Sequence, residues 1–107
     1  MRPIKKVEII CASVEVRKIL TALEKLEVSG YTLIRDAEGM GDRGRRLADE
    51  VTDVFKNSYI LVCCSPEMAE KISQKVQPSL KKFGGVCLVS DAQWIRVGED
   101  HPERKEP

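Results

Sequence analysis

The sequence predicts an α+β sandwich built from two β-α-β units joined by a long polar loop. Three observations carry this reading. Apolar and β-branched runs recur near residues 4–11, 31–35, 54–64 and 86–89. Two amphipathic stretches with helical spacing lie between them. Residues 36–53 interrupt the pattern with glycines and charges, too long a polar loop to be only a turn in a chain of 107 residues.

Taken in order, Ile4 to Cys11 reads as a strand. Ser13 is the expected N-cap of a first helix, with Glu15 in its first turn. Val16, Ile19, Leu20, Leu23 and Leu26 form its apolar stripe, and Ser29-Gly30 is its expected end. Tyr31 to Arg35 is a second strand, and Val54 to Cys64 a long third one. Ser65-Pro66-Glu67 combines a capping serine, a proline at the first helical position and an acid in the first turn. Met68, Ala69, Ile72, Val76 and Leu80 continue that helix to Gly84-Gly85, with Pro78 expected to kink it or to start a new turn. Val86 to Val89 is a short strand, and Ala92 to Val97 a final element of open type. One domain over 1–98 and a polar tail over 99–107 follow.

The order β-α-β-loop-β-α-β is the ferredoxin-like split pattern, which puts both helices on one face of an antiparallel sheet. The other face is left bare. Apolar strand residues such as Ile10, Leu33 or Leu61 are candidates to lie there, and a partner is expected to cover them.

Composition excludes several classes. Hydrophobic residues are 42% and charged residues 33%, which is globular. The net charge of +1 and five aromatic residues argue against nucleic acid. No apolar run approaches the roughly 18–20 residues of a membrane span, and the start lacks a signal-peptide core, so an integral membrane protein is not expected and a cytoplasmic one is. Cys11, Cys63, Cys64 and Cys87 have no Cys-x-x-Cys spacing and read as reduced, packed thiols. His101, the one histidine, sits in the tail, so neither a metal site nor a histidine-based catalytic set is expected. No nucleophile–base pair is evident, and the chain is read as non-enzymatic.

The strongest local signal is Gly39-Met40-Gly41-Asp42-Arg43-Gly44-Arg45-Arg46. Glycines let backbone amides approach an anion, and arginines pair with oxyanions in a forked geometry. A solvated hairpin accounts for the same residues equally well. Lys81, Lys82, Gly84 and Gly85 form a smaller Gly/Lys cluster, for which a helix cap and turn is the simpler account.

The segment Val28-Ser29-Gly30-Tyr31-Thr32-Leu33, then Gly39-Met40-Gly41, and the closing Trp94-Ile95-Arg96-Val97-Gly98-Glu99 resemble the PII signalling superfamily. The resemblance spans residues 5 to 100. It implies a homotrimer with an adenine nucleotide in each cleft between subunits, and a mobile T-loop over 38–53. Gly30, Tyr31 and Thr32 match positions near adenine and ribose. Gly39, Met40, Gly41 and Arg43 match the T-loop base, Gly84 and Gly85 the B-loop, and Arg96 a phosphate-facing arginine. The B-loop is shortened and Val86 stands where a lysine is usual, which points to ADP or AMP rather than ATP. Arg43 stands at the usual glutamine position, so a site for ATP with 2-oxoglutarate is not implied. Among PII-like relatives, those linked to bicarbonate transport or carboxysome operons resemble this chain best in size and in the shortened B-loop, which implies bicarbonate as a candidate second ligand, with Arg43, Arg45 and Arg46 as anion or switch residues and a membrane transporter as the expected partner. Trimeric metal-binding proteins of the CutA type and ACT-like amino-acid-binding domains are the alternatives.

Overall fold

The structure, a computed structural model, describes residues 2–41, 44–46 and 56–95. Strand β1 spans Arg2–Ala12, a 3-10 turn Ser13–Glu15 follows, and α1 spans Val16–Lys25. Then come β2 (Thr32–Ala37), β3 (Gly39–Gly41), β4 (Gly44–Arg46), β5 (Asn57–Cys64), α2 (Pro66–Phe83) and β6 (Gly85–Trp94). The main sheet has the order β2-β5-β1-β6, with every neighbouring pair antiparallel. This is the predicted ferredoxin-like sandwich, with the long sequential crossovers carried by the two helices.

The core forms where one sheet face meets the helices. Val7, Ile9 and Cys11 of β1 and Ile60, Val62 and Cys64 of β5 alternate inward and are buried. They pack with Val16, Ile19 and Leu23 of α1 and Ala69, Ile72 and Val76 of α2. Each fully buried Ile or Leu here contributes about 1.5–3 kcal/mol.

The opposite sheet face carries Ile34, Tyr59, Leu61, Ile10, Val86 and Leu88 in laterally paired rows. Ile34 is 55% exposed and Leu88 51% exposed. Ile10 and Leu61 therefore lie on the bare face as expected. Leu33 does not: it pairs with Ile60 and packs against the core.

Several local features differ from the sequence expectation. Ser13 makes no capping bond; its hydroxyl lies 2.7 Å from that of Ser58, and its amide donates to the Lys56 carbonyl at 2.7 Å. Helix α1 ends before Gly30, in a Schellman arrangement with Glu27 at φ 62°. The amides of Glu27 and Val28 donate to the carbonyls of Glu24 and Leu23 at 3.0 and 3.3 Å. Helix α2 runs unbroken through Pro78, whose position and that of Gln74 one turn earlier are both exposed, so the carbonyl that proline leaves unpaired faces water. Strand β6 continues to Trp94, absorbing Ala92 into one ten-residue strand held by β1. The third long strand starts at Asn57 rather than Val54.

Candidate functional site

One end of the sandwich collects most of the residues singled out in the sequence. There β1 finishes, β5 and β6 begin, and α2 terminates. Cys11 pairs with both Ser58 and Gly85, and Ala37 pairs with Asn57. The register of β2 shifts between Ile34 and Ala37, with Asp36 at φ 60°. Aspartate tolerates this left-handed geometry, and the resulting bulge turns the chain out of the sheet.

The segment that leaves is in part a hairpin, not a continuous loop. Gly39, Met40 and Gly41 pair with Arg46, Arg45 and Gly44. This places Arg45 and Arg46 on a strand directly opposite the Gly-Met-Gly run. Arg43 and the remaining loop residues 47–55 lie outside the described residues, as do Arg96 and the tail 99–107.

Gly84 and Gly85 are held by the fold itself. Gly84 adopts φ 84° and its amide donates to the Leu80 carbonyl at 2.9 Å, which caps α2. That amide is already engaged and does not point to a free anion. Gly85 sits at φ +130° against β1, where a Cβ would stand 2.3 Å from the Ile10 carbonyl oxygen. Gly30 is different: a Cβ there would meet nothing within 4 Å. No contact among the described residues requires a glycine at that position. Tyr31 is 40% exposed beside it, and Thr32 opens β2 opposite Leu61.

The sheet order separates these groups. Tyr31-Thr32 belongs to one edge strand and Gly84-Gly85 to the other, with β5 and β1 between them. Three inter-strand spacings amount to about 14 Å. A single copy thus presents the two candidate segments on opposite sheet edges.

Two polar contacts that sequence reading did not single out, one buried and one part-buried, brace this end. The Ser79 hydroxyl donates to Glu15 Oε1 at 2.8 Å, joining the last turns of α2 to the start of α1. The Ser13–Ser58 contact joins the same turn to the start of β5. Glu15 and Ser79 are 64 positions apart, and no local pattern links them.

The cysteines behave as packed thiols. Burial, with the nearby Glu15 carboxylate, pushes the Cys11 thiol up to about 11. Burial, with a smaller contribution from Cys63, pushes Cys64 up to about 11. Cys87 is raised by burial. Cys63 and Cys64 point to opposite faces, and no group of three or more potential metal ligands is found among the described residues. On the bare face the Tyr59 hydroxyl donates to Glu8 Oε2 at 2.8 Å, and Lys6 stands 3.7 Å from the same carboxylate. The hydrogen bond to Glu8 raises the Tyr59 pKa, with smaller contributions from burial and the Glu8 charge. No helix among the described residues is long and apolar enough to cross a membrane.

Known structures share this architecture. CPII, a PII-like protein from Thiomonas intermedia K12 bound to ADP, AMP and bicarbonate, is 25% identical, with a TM-score of 0.79 over 88% of this chain and 90% of that chain. CPII bound to ADP and bicarbonate gives 26% identity and a TM-score of 0.76 over 88% and 90% of the two chains. A PII-like signalling protein from Thermus thermophilus shares the fold at 23% identity and a TM-score of 0.72, covering 88% and 91%. No curated protein sequence matches. The family model for nitrogen regulatory protein P-II matches residues 4–99, nearly the whole domain. With the split sandwich and the excursion between β2 and β5, that match makes this chain a divergent member of the P-II family.

Proposed function

We propose that this protein is a non-enzymatic, cytoplasmic signalling regulator that binds ADP or AMP in clefts between the subunits of a homotrimer. The observation that carries the proposal is the separation of the two half-sites. Gly30-Tyr31-Thr32 on one sheet edge and Gly84-Gly85 on the other cannot contact one nucleotide within a chain. Neighbouring copies that cover the bare sheet faces bring unlike edges together. The exposed Ile34, Val86 and Leu88 supply the apolar surface for that association.

The ligand follows from the relatives and from the chain. CPII is described with ADP, AMP and bicarbonate, and it is 25% identical over most of both chains. The engaged Gly84 amide and the short Gly84-Gly85 turn leave little to hold a third phosphate, which favours ADP and AMP over ATP. Arg45 and Arg46 on the hairpin, with Arg43 and Arg96, supply charge for phosphate or bicarbonate. Occupancy then orders the segment between β2 and β5, and that segment docks on or releases a membrane transporter of inorganic carbon. Such a switch requires the nucleotide to bind the two loop states with different affinity. Membership of the P-II family takes precedence over the CutA-like and ACT-like alternatives.

Calorimetric titration with AMP, ADP and ATP, each with and without bicarbonate, tests the ligand. Sedimentation tests the assembly, with an expected mass three times the 12.0 kDa chain. If no adenine nucleotide binds more tightly than about 1 mM, worth only about 4 kcal/mol, the sensor reading fails. A monomeric species that still binds ADP would overturn the composite cleft alone, and a dimeric one would overturn the trimer.

A further inference from the structure

On the helical side of the domain, away from both sheet edges, a groove of about 720 Å³ opens between α1 and α2. Val14, in the 3-10 turn before α1, and Leu26, just after its last residue, mark its two ends, and the intervening stretch is about 18 Å long. Arg17, Lys18 and Lys25 from α1 and Lys75 from α2 stand around it. No acidic side chain lines it. Among the described residues none of these four cations is in an ion pair. The whole chain carries a net charge of only +1, so this groove concentrates positive charge that the remainder balances. Its apolar lining is Val14, which is 49% exposed, Ala22, and Leu26, which is partly buried against the core.

We propose that this groove docks an acidic amphipathic helix of a partner protein. Val14, Ala22 and Leu26 offer apolar contacts spaced along the groove for the apolar stripe that such a helix presents. The length accommodates about three helical turns. The four cations complement carboxylates flanking the stripe and steer the encounter. A phosphorylated small molecule fits less well, because the cations are strung along the helix instead of converging on one point. A bilayer fits less well because Leu26, at one end of the apolar lining, is partly buried against the core and out of reach of a flat surface. The groove shares no residue with the nucleotide half-sites, so it offers a contact independent of the T-loop.

The test uses the full chain labelled with nitrogen-15 and a synthetic 14-residue helical peptide with Leu on one face and Glu on the other. Amide shifts are expected to cluster on α1 and α2 around Arg17, Lys25 and Lys75. Binding should weaken about tenfold when ionic strength rises from about 0.03 to 0.3 M. The doubly substituted Lys18→Glu, Lys75→Glu chain should bind at least about tenfold more weakly while its melting temperature and ADP affinity stay unchanged. Val14→Ser should cost about threefold through the apolar lining alone. Shifts mapping to the sheet, affinity indifferent to the charge reversals, or no saturation at millimolar peptide would overturn the proposal. So would charge-dependent sedimentation with anionic vesicles in the absence of peptide binding.

Discussion

Gly85 and Gly30 both look like ligand-contact glycines, yet substitution should affect them in opposite ways. At Gly85→Ala the new Cβ would stand 2.3 Å from the Ile10 carbonyl oxygen, 2.9 Å from Leu80 Cδ2 and 3.3 Å from Cys11 Cα. The nearest atom is backbone and cannot swing aside. The φ of +130° adds about 1–3 kcal/mol of backbone strain for any L side chain. Overpacking at a site of this kind costs a further 1–3 kcal/mol or so. The sum, about 2–6 kcal/mol, is a large share of the roughly 5–15 kcal/mol available to a domain of this size. At about 4 °C per kcal/mol the melting temperature should fall by about 8–24 °C. Gly30→Ala meets open space, and its φ is not in the left-handed region. It should leave the melting temperature unchanged or raise it by a few degrees, through lost unfolded-state entropy of about 0.4–1 kcal/mol. Circular dichroism melts of the two variants, paired with ADP titration, separate fold from site. Gly30→Ala should weaken ADP at least about threefold with the fold intact, because the added methyl occupies space the ribose would use. A Gly85→Ala chain that melts within about 4 °C of the parent would refute the steric reasoning. Unchanged ADP affinity in Gly30→Ala would remove that segment from the cleft.

Three further outcomes are expected. Ser79→Ala removes a buried hydrogen bond to the Glu15 carboxylate and should cost about 1.5–3 kcal/mol, lowering the urea midpoint by about 1–2 M at fixed protein concentration; a shift below about 0.3 M means that water takes over the bond. Glu27→Gly relieves a left-handed glutamate at the end of α1 and should stabilise the chain by about 0.5–1 kcal/mol, whereas a neutral or destabilising result would mean that the glutamate side chain has a compensating role. Cys11 and Cys64 titrate in the folded chain at about 11 against an ordinary 9.0, so the unfolded chain releases these protons first. Stability is therefore fully present below about pH 9 and declines as pH rises toward about 11, by about 2–3 kcal/mol per thiol; the Cys11→Ala, Cys64→Ala double variant should show a flatter decline, and an equal slope in both proteins would contradict buried thiols.

Where the sequence predicted well, the deciding forces were local. Ser65-Pro66-Glu67 starts α2 as expected, and the Ser65 hydroxyl accepts from the Met68 amide at 3.2 Å. The apolar stripes of both helices became the core side, because a 3.6-residue period leaves few alternatives. Ser13 shows the opposite case. Its local pattern also reads as a cap, but Ser58, 45 residues away, competes for the same hydroxyl and wins. Glu27 likewise ends α1 against its own backbone preference, because Val28 packs into the core just beyond it. The hairpin at Gly39–Gly41 and Gly44–Arg46 was hidden by glycines that weaken any strand signal. The last strand looked short because Ser90, Asp91 and Gln93 are polar, yet pairing with β1 carries it to Trp94.

By itself the sequence determined the ferredoxin-like order, the family resemblance and the candidate Gly/Arg segments, since these depend on local period, turn residues and spacing. Only the tertiary structure decided which faces and edges those segments occupy. A one-residue change in strand register exchanges the two faces of a sheet, and that is why Leu33 went to the core while Ile10 and Leu61 stayed on the bare face. The sheet order, set by the crossovers and not by any short motif, placed Gly30-Tyr31-Thr32 and Gly84-Gly85 on opposite edges. The same packing assigned Gly84 to a helix cap and Gly85 to a close strand contact, and left Gly30 with no close contact among the described residues.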